Sequence, residues 1–238
     1  MVDGQNEDSA IDERPADADR ETIAHRLAVG LVWDEVGKWE LELLVSRGLR
    51  PEHRLLDVGC GSLRGGLNFM TYLRPGHYFG VDISPELLAA GRHEVADAGL
   101  SDRLPVLRET DTFEVDFDSI RFDYALAASL FTHLPLNSIE LCLARVAEVL
   151  TPGGELYATY FPSPPGDARY SAWLHAAPTR LGTLVRTYWD RDPYHQDLES
   201  FQWMCRRTEL EVTYIGDFGE ARPQKILAFH RLPRRGEG

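Results

Sequence analysis

The sequence predicts an α/β domain built on a mostly parallel sheet with helices on both faces, and three observations predict it. From residue 53 to residue 161, short apolar runs of β-forming residues alternate with segments of helical periodicity, the rhythm of strand–helix–strand crossovers. One junction, Asp57-Val-Gly-Cys-Gly-Ser-Leu-Arg-Gly-Gly66, leads from the apolar pair Leu55-Leu56 through a Gly-x-Gly turn into the helical pattern Leu67–Leu73. The 238 residues are 43% hydrophobic and 10% aromatic, enough for one sizeable core.

The elements follow in chain order. Residues 1–19 are acidic, small and poor in large apolar groups, which predicts a disordered tail. Residues 20–238 read as a single domain. Within it, Ile23, Leu27, Leu31, Val36, Trp39 or Glu40, Leu43 and Leu44 recur at helical spacing across 20–50, and Gly30 and Gly37 divide that stretch into pieces. Helices packed on the sheet edge are the simpler reading; a lid made by Trp33 and Trp39 is the alternative. Strands are expected at His53–Val58, His77–Val81, Leu104–Arg108, Phe122–Ala127, Glu155–Phe161, Glu211–Gly216 and Gln224–His230, seven in all. Helices are expected at Arg64–Leu73, Glu86–Ala98, Asn137–Leu150 and Asp197–Arg206. Ser84-Pro85 supplies an N-cap and a first-turn proline. Asn137 with Glu140 predicts a capping box, and Thr151-Pro-Gly-Gly154 a helix stop. Residues 162–195, with five prolines and two glycines, break the rhythm as a long insertion.

The Gly-x-Gly turn is a nucleotide-binding arrangement, because glycines allow close backbone approach and the following helix N-terminus favours an anionic group. Its spacing argues against a dinucleotide: a G-x-G-x-x-G fingerprint needs a third glycine where Arg64 stands. No lysine follows as a phosphate loop requires. Asp82 closes the second predicted strand at the ~20-residue distance from the turn expected of a ribose-binding carboxylate.

The string Leu56-Asp57-Val58-Gly59-Cys60-Gly61 with Ser62, Arg64, Gly65 and Gly66 resembles the first motif of class I S-adenosylmethionine-dependent methyltransferases. Phe122–Pro135 resembles their fourth-strand motif, and Leu150–Gly154 the approach to their fifth strand. The resemblance implies a Rossmann-like sheet of seven strands with the last antiparallel, and S-adenosylmethionine as cofactor, leaving as S-adenosylhomocysteine. It implies a site formed by Gly59, Cys60 and Gly61, with Asp82 on the ribose and Ile83 on the adenine face. Asp111 would reach the adenine amino group, with Phe113 beside it; an exposed acidic turn is the other reading. Ala128 and Ser129 would line the methionine part. Arg64 either pairs with the cofactor carboxylate or faces solvent. Cys60 is read as a small residue suited to a tight turn, without a neighbouring base.

On the acceptor side, His133 lies just beyond the fourth strand, where it serves as a base or merely packs. Tyr194 and His195, with Asp190, Asp192 and Asp197 nearby, form a second candidate catalytic cluster or a polar loop. Trp173, His175, Tyr188 and Trp189 make the insertion aromatic, fit for an acceptor pocket, a local hydrophobic cluster or a homodimer interface. Methyl transfer to a small molecule follows as the expected activity, in small-molecule or natural-product biosynthesis, with oxygen slightly favoured over nitrogen or carbon. A same-fold cyclase or aminopropyl transferase, or a non-catalytic cofactor-binding partner module, are the alternatives, with a nicotinamide dehydrogenase further off.

The net charge of −13 argues against a nucleic-acid partner. Residues 1–20 hold seven acids and two arginines, which leaves −8 for the remainder. No apolar run approaches the ~20 residues of a membrane span, and Met1-Val-Asp-Gly-Gln-Asn has no signal-peptide character. Cys60, Cys142 and Cys205 show no metal-ligand spacing and cannot all pair. A cytoplasmic protein without a metal is expected.

Overall fold

The computed structural model describes residues 33–176, 184–218 and 223–233. The predicted tail 1–19, residues 20–32 of the predicted N-terminal helices and residues 177–183 of the insertion lie outside the described residues. Strands β1 (Leu55–Val58), β2 (Tyr78–Asp82), β3 (Val106–Glu109), β4 (Phe122–Ala127), β5 (Leu150–Pro162), β9 (Leu210–Asp217) and β10 (Lys225–Arg231) form the seven-stranded path β3-β2-β1-β4-β5-β10-β9. The β1–β2, β2–β3, β1–β4 and β4–β5 pairs are parallel. The last strand, β10, runs antiparallel to both β5 and β9. Strand order reverses between β1 and β4, so the crevice at their carboxyl ends is the topological switch point where ligands of open α/β sheets bind.

Both faces are covered. Helices α1 (Trp33–Ser46), α2 (Gly66–Tyr72) and α3 (Pro85–Asp97) pack Val36, Leu44, Phe69, Met70, Leu88 and Val95 against Leu55 and Tyr78. On the other face, α4 (Leu136–Val149) and α5 (Leu198–Cys205) bring Ile139, Leu143, Val146, Phe201 and Met204 to Leu56 and Phe79. Adjacent strand residues point to opposite faces. With a core on each side, the strands are apolar at consecutive positions instead of alternating. No helix joins β3 to β4 among the described residues. Val115 and Phe117 fill that place, Phe117 lying edge-on to Phe79 at 5.1 Å and to Phe122 at 6.0 Å.

Of three local expectations, the Asn137–Glu140 capping box is corrected, while the Ser84 cap holds and α4 ends at Val149, before Thr151. Ser84 caps α3 by accepting the Leu87 N–H at 3.1 Å, but α4 starts at Leu136 after Pro135 with no side-chain cap. Glu140 pairs with Arg207 at 3.1 Å instead of closing a capping box. Thr151–Gly154 belongs to β5, where pairing with β4 skips from Leu150 opposite Phe122 to Glu155 opposite Tyr124; Gly153, at φ +78°, carries the excursion. The insertion has its own order: a 3₁₀ turn at Gly166–Tyr170, an antiparallel pair β6 (Trp173–Ala176) and β7 (Leu184–Thr187), and β8 (His195–Gln196) running parallel to the end of β5.

Candidate functional site

Two adjoining cavities open at the switch point. One, of about 220 Å³, is lined by Val58, Thr110, Asp111, Phe113, Leu134 and Ser138. The other, of about 340 Å³, is lined by Glu40, Asp57, Cys60, Arg64, Ala128 and His133 among others. Gly59, Asp82, Ile83 and Leu130 line both. The loop that shapes them is fixed by its backbone. Gly59 at φ +74° and Gly61 at φ +54° adopt a conformation that favours glycine, and a Cβ on Gly59 would lie 2.9 Å from Leu130. The N–H groups of Gly59 and Cys60 both donate to Val81 O, at 2.8 and 3.0 Å. Cys60 packs its sulfur over Gly80 of β2, and burial pushes its thiol well above the ordinary range, so it has no nucleophilic character.

Asp82 ties strand, turn and helix together. One carboxylate oxygen accepts the Gly61 N–H at 2.8 Å and the other the Ser84 N–H at 2.9 Å. An ionised carboxylate has about four acceptor positions, which leaves capacity directed at the junction of the cavities. Ile83 beside it is 67% exposed, an apolar surface that a stacked ring would cover. Asp111 is exposed on the wall of the smaller cavity, next to Thr110, whose hydroxyl accepts the Thr112 and Glu114 N–H groups.

Arg64 neither faces solvent nor stands alone. It is 6% exposed and donates from Nε and Nη2 to Glu40 Oε1 of α1, at 3.1 and 2.5 Å. Glu40 carries no motif signal, yet Val36, Glu40 and Leu44 follow one another at four-residue spacing, and all three are buried. Gly65 and Gly37 explain the close approach of the helices: a Cβ on Gly65 would lie 2.1 Å from Glu40 Oε2, and one on Gly37 would lie 2.3 Å from Arg64 O. Trp33 is buried and Trp39 packs against the core, so neither forms a lid over these cavities.

Asp57, in the motif but not assigned a role by the sequence, stands on the floor of the larger cavity and accepts the Tyr78 hydroxyl at 2.7 Å. Burial pushes its carboxyl up to about 7, the Tyr78 bond opposing and the Glu40 and Asp82 carboxylates adding to the rise. An unfolded aspartate titrates near ~3.9. Between about pH 4 and 7 the unfolded chain has therefore released a proton that the folded chain keeps, and stability falls as pH rises. Asp57→Asn removes this term. Urea denaturation of both proteins at pH 5 and pH 8 should show the variant gaining roughly 2–3 kcal/mol relative to wild type across that interval. Parallel pH dependences would contradict the assignment.

The end of β4 is held from across the sheet. Ser129 has a left-handed backbone, φ +62°. Its N–H donates to Thr159 Oγ1 of β5 at 2.7 Å, and its hydroxyl donates to Gln224 Oε1, just before β10, at 3.2 Å. Neither partner is visible from the sequence near Ser129. The following 3₁₀ turn, Phe131–His133, presents an exposed imidazole at the rim of the larger cavity. His133 Nδ1 lies 2.6 Å from Asp192 Oδ1 of the insertion. The Tyr194 N–H donates to Thr132 O at 2.7 Å, which seats the insertion on the same turn.

The structure does not gather Tyr194 and His195 with the cofactor-side residues. Both line a third cavity, between the insertion and the starts of α4 and α5, and the predicted acidic cluster divides among partners: Asp192 to His133, Asp197 to Arg169 at 2.9 Å. His195 is buried, with Nδ1 2.8 Å from Thr187 Oγ1 and Nε2 2.9 Å from Arg169 O. His175 Nε2 meets the same Thr187 hydroxyl at 2.9 Å, and burial depresses the His175 pKa to about 4. A neutral His175 donating to Thr187, Thr187 to His195, and His195 to Arg169 O satisfies every group in the chain. Both His195 nitrogens are thus engaged within the insertion. All three cysteines are buried thiols, and no metal-ligating cluster occurs among the described residues.

Residues 55–154 match a family model described as a methyltransferase domain. The chain is similar to a phosphatidylethanolamine N-methyltransferase of Cereibacter sphaeroides, 34% identical over 103 residues that cover 43% of this chain and 48% of the relative. It thus spans about half the length of that protein. It is also similar to a demethylmenaquinone methyltransferase of Listeria monocytogenes, 29% identical over 196 residues, 77% of this chain and 81% of the relative. Among solved structures, magnesium protoporphyrin IX methyltransferase from Synechocystis with bound S-adenosylmethionine superposes with a TM-score of 0.58 at 14% identity, covering 92% of this chain and 86% of that one. The motif string, the doubly wound sheet and the domain model converge on residues 55–154, over which the chain is similar to methyltransferase domains, and its fold is that of the S-adenosylmethionine-dependent methyltransferase structures.

Proposed function

We propose that the chain methylates a small molecule, at a hydroxyl oxygen in preference to nitrogen or carbon, using the insertion 162–195 to hold the acceptor. The observation that carries this reading is the His133–Asp192 pair at the cavity rim. An imidazole whose Nδ1–H is taken by a carboxylate presents Nε2 as a proton acceptor, the arrangement of an oriented general base. A neutral amine acceptor has no need of one, whereas a hydroxyl must lose its proton as its oxygen becomes methylated. The relatives are named for N- and quinone methylation, so support for oxygen comes from this pair and not from them.

The cavities fit the cofactor: Asp82 has acceptor capacity for ribose hydroxyls, Ile83 and Phe113 offer apolar cover, and the floor holds Asp57, Glu40 and Arg64. In this reading Gly59, Cys60 and Gly61 admit the cofactor backbone, Asp111 faces the adenine edge, and Ala128, Ser129 and Arg64 bound the methionine half. The cofactor supplies an electrophilic methyl group on a sulfonium. The protein's part is alignment, water exclusion and removal of the acceptor proton at His133 Nε2.

Release of S-adenosylhomocysteine, measured with a panel of neutral hydroxylated aromatics, tests the reading. His133→Gln should lower kcat by about 100-fold and Asp192→Asn by less, both with little change in affinity for S-adenosylhomocysteine. Wild-type turnover in His133→Gln would remove the oxygen assignment and favour an amine acceptor.

A further inference from the structure

The insertion and the starts of α4 and α5 line an open cavity of about 420 Å³, within the ~300–1,000 Å³ typical of small-molecule sites. Its mouth carries Tyr170 and Trp189, both more than half exposed, with rings perpendicular and centroids 6.1 Å apart. Gln196, only 6% exposed, lies on the inner wall. Its Nε2 donates to Leu134 O at 3.0 Å, while its Oε1 has no hydrogen-bond partner among the described residues. A buried acceptor left unpaired costs of the order of 1–3 kcal/mol; Oε1 itself is closed off, at the end of an amide whose residue lines the cavity.

We propose that this cavity binds an uncharged aromatic ring bearing a hydroxyl, packed face-on against Trp189 with Tyr170 at its edge, and donating to Gln196 Oε1 as that amide turns toward the cavity. The proposal deepens the reading that the insertion holds the methyl acceptor and rests on it. Charge decides between ring classes. Asp190 and Asp197 line the wall, and the lining cation, Arg169, is already engaged by Asp197 through Nη1 and by Gly166 O through Nε. An anionic ring would meet two carboxylates and a guanidinium already in use. The orphan carbonyl oxygen requires a donor, so an ether or bare hydrocarbon would leave it unpaired. Placement connects the cavity to the chemistry: Asp190 and Tyr194 line it, while Asp192 between them grips His133 on the cofactor side. The His175–Thr187–His195–Arg169 chain of hydrogen bonds fixes β8, and with it Gln196.

The test is calorimetric titration of the full chain, saturated with S-adenosylhomocysteine, using 2-naphthol as probe. Wild type should bind 2-naphthol at least tenfold more tightly than 2-methoxynaphthalene or 2-naphthoate. Trp189→Ala, at an exposed position, should weaken 2-naphthol tenfold or more and leave affinity for S-adenosylhomocysteine within twofold. Gln196→Met should abolish the preference for naphthol over its methyl ether; should that variant fail to fold, the Trp189 variant and the three-ligand comparison decide alone. No naphthol binding, equal binding by Trp189→Ala, or equal affinity for naphthol and naphthoate would overturn the proposal. Failure of wild type to bind S-adenosylhomocysteine would instead refute the cofactor-site reading, a separate signal in the same titrations.

Discussion

Asp82→Ala should lower affinity for S-adenosylhomocysteine at least 100-fold in a calorimetric titration. The carboxylate already accepts the Gly61 and Ser84 N–H groups at 2.8 and 2.9 Å, and its remaining acceptor positions face the junction of the two cavities. A hydrogen bond to a charged group contributes about 1.5–3 kcal/mol. Two of them to ribose hydroxyls exceed the ~2.7 kcal/mol that a 100-fold change represents. Substitution also frees the Gly61 N–H, so loop disorder must be separated from lost ribose contact. Comparing adenosine with 2′,3′-dideoxyadenosine separates them. Wild type should prefer adenosine strongly, and the variant should bind both equally weakly. Unchanged affinity for S-adenosylhomocysteine, or a preference that survives in the variant, would refute the ribose role of Asp82.

What the sequence made legible was local. The Gly59–Gly61 turn, the Ser84 cap and the alternating runs from 53 to 161 are short-range signals, and the sheet follows because βαβ crossovers leave few arrangements. Contacts that depend on distant chain segments were illegible. Glu40 meets Arg64 across 24 residues, and Ser129 meets Gln224 across 95. The insertion misled in the opposite way. Asp192, Tyr194 and His195 are neighbours in sequence, but they belong to a tight turn in which Tyr188 N–H donates to Pro193 O at 2.8 Å and His195 N–H to Tyr188 O at 2.9 Å. Their side chains therefore diverge: Asp192 reaches His133 on the cofactor side, and His195 is buried inside the insertion. Proximity along the chain suggested one catalytic cluster; the turn makes two sites with a shared wall.

Glu40→Ala should destabilise the protein by about 3 kcal/mol, lowering Tm by roughly 6–12 °C for a domain of this size. The pair it breaks is 6% and 3% exposed. Desolvating a guanidinium is costly unless a carboxylate compensates. Asp57 is the nearby acid, and with its own carboxyl pushed up to about 7 it replaces that charge only in part at neutral pH. Glu40→Met with Arg64→Met should recover most of the loss, because an apolar pair leaves no buried charge. Gly65 supplies a second check on the same contact. Its backbone, φ −80° and ψ −32°, is ordinary right-handed helix, so glycine is required there for space and not for conformation. Its missing Cβ would lie 2.1 Å from Glu40 Oε2. Gly65→Ala should therefore be strongly destabilising in wild type and cost far less once Glu40 is alanine, a non-additivity that a double-mutant cycle in urea measures directly. Additive losses would mean that α1 and α2 are held together by something other than this pair, and that the Arg-Gly-Gly end of the motif serves the cofactor alone.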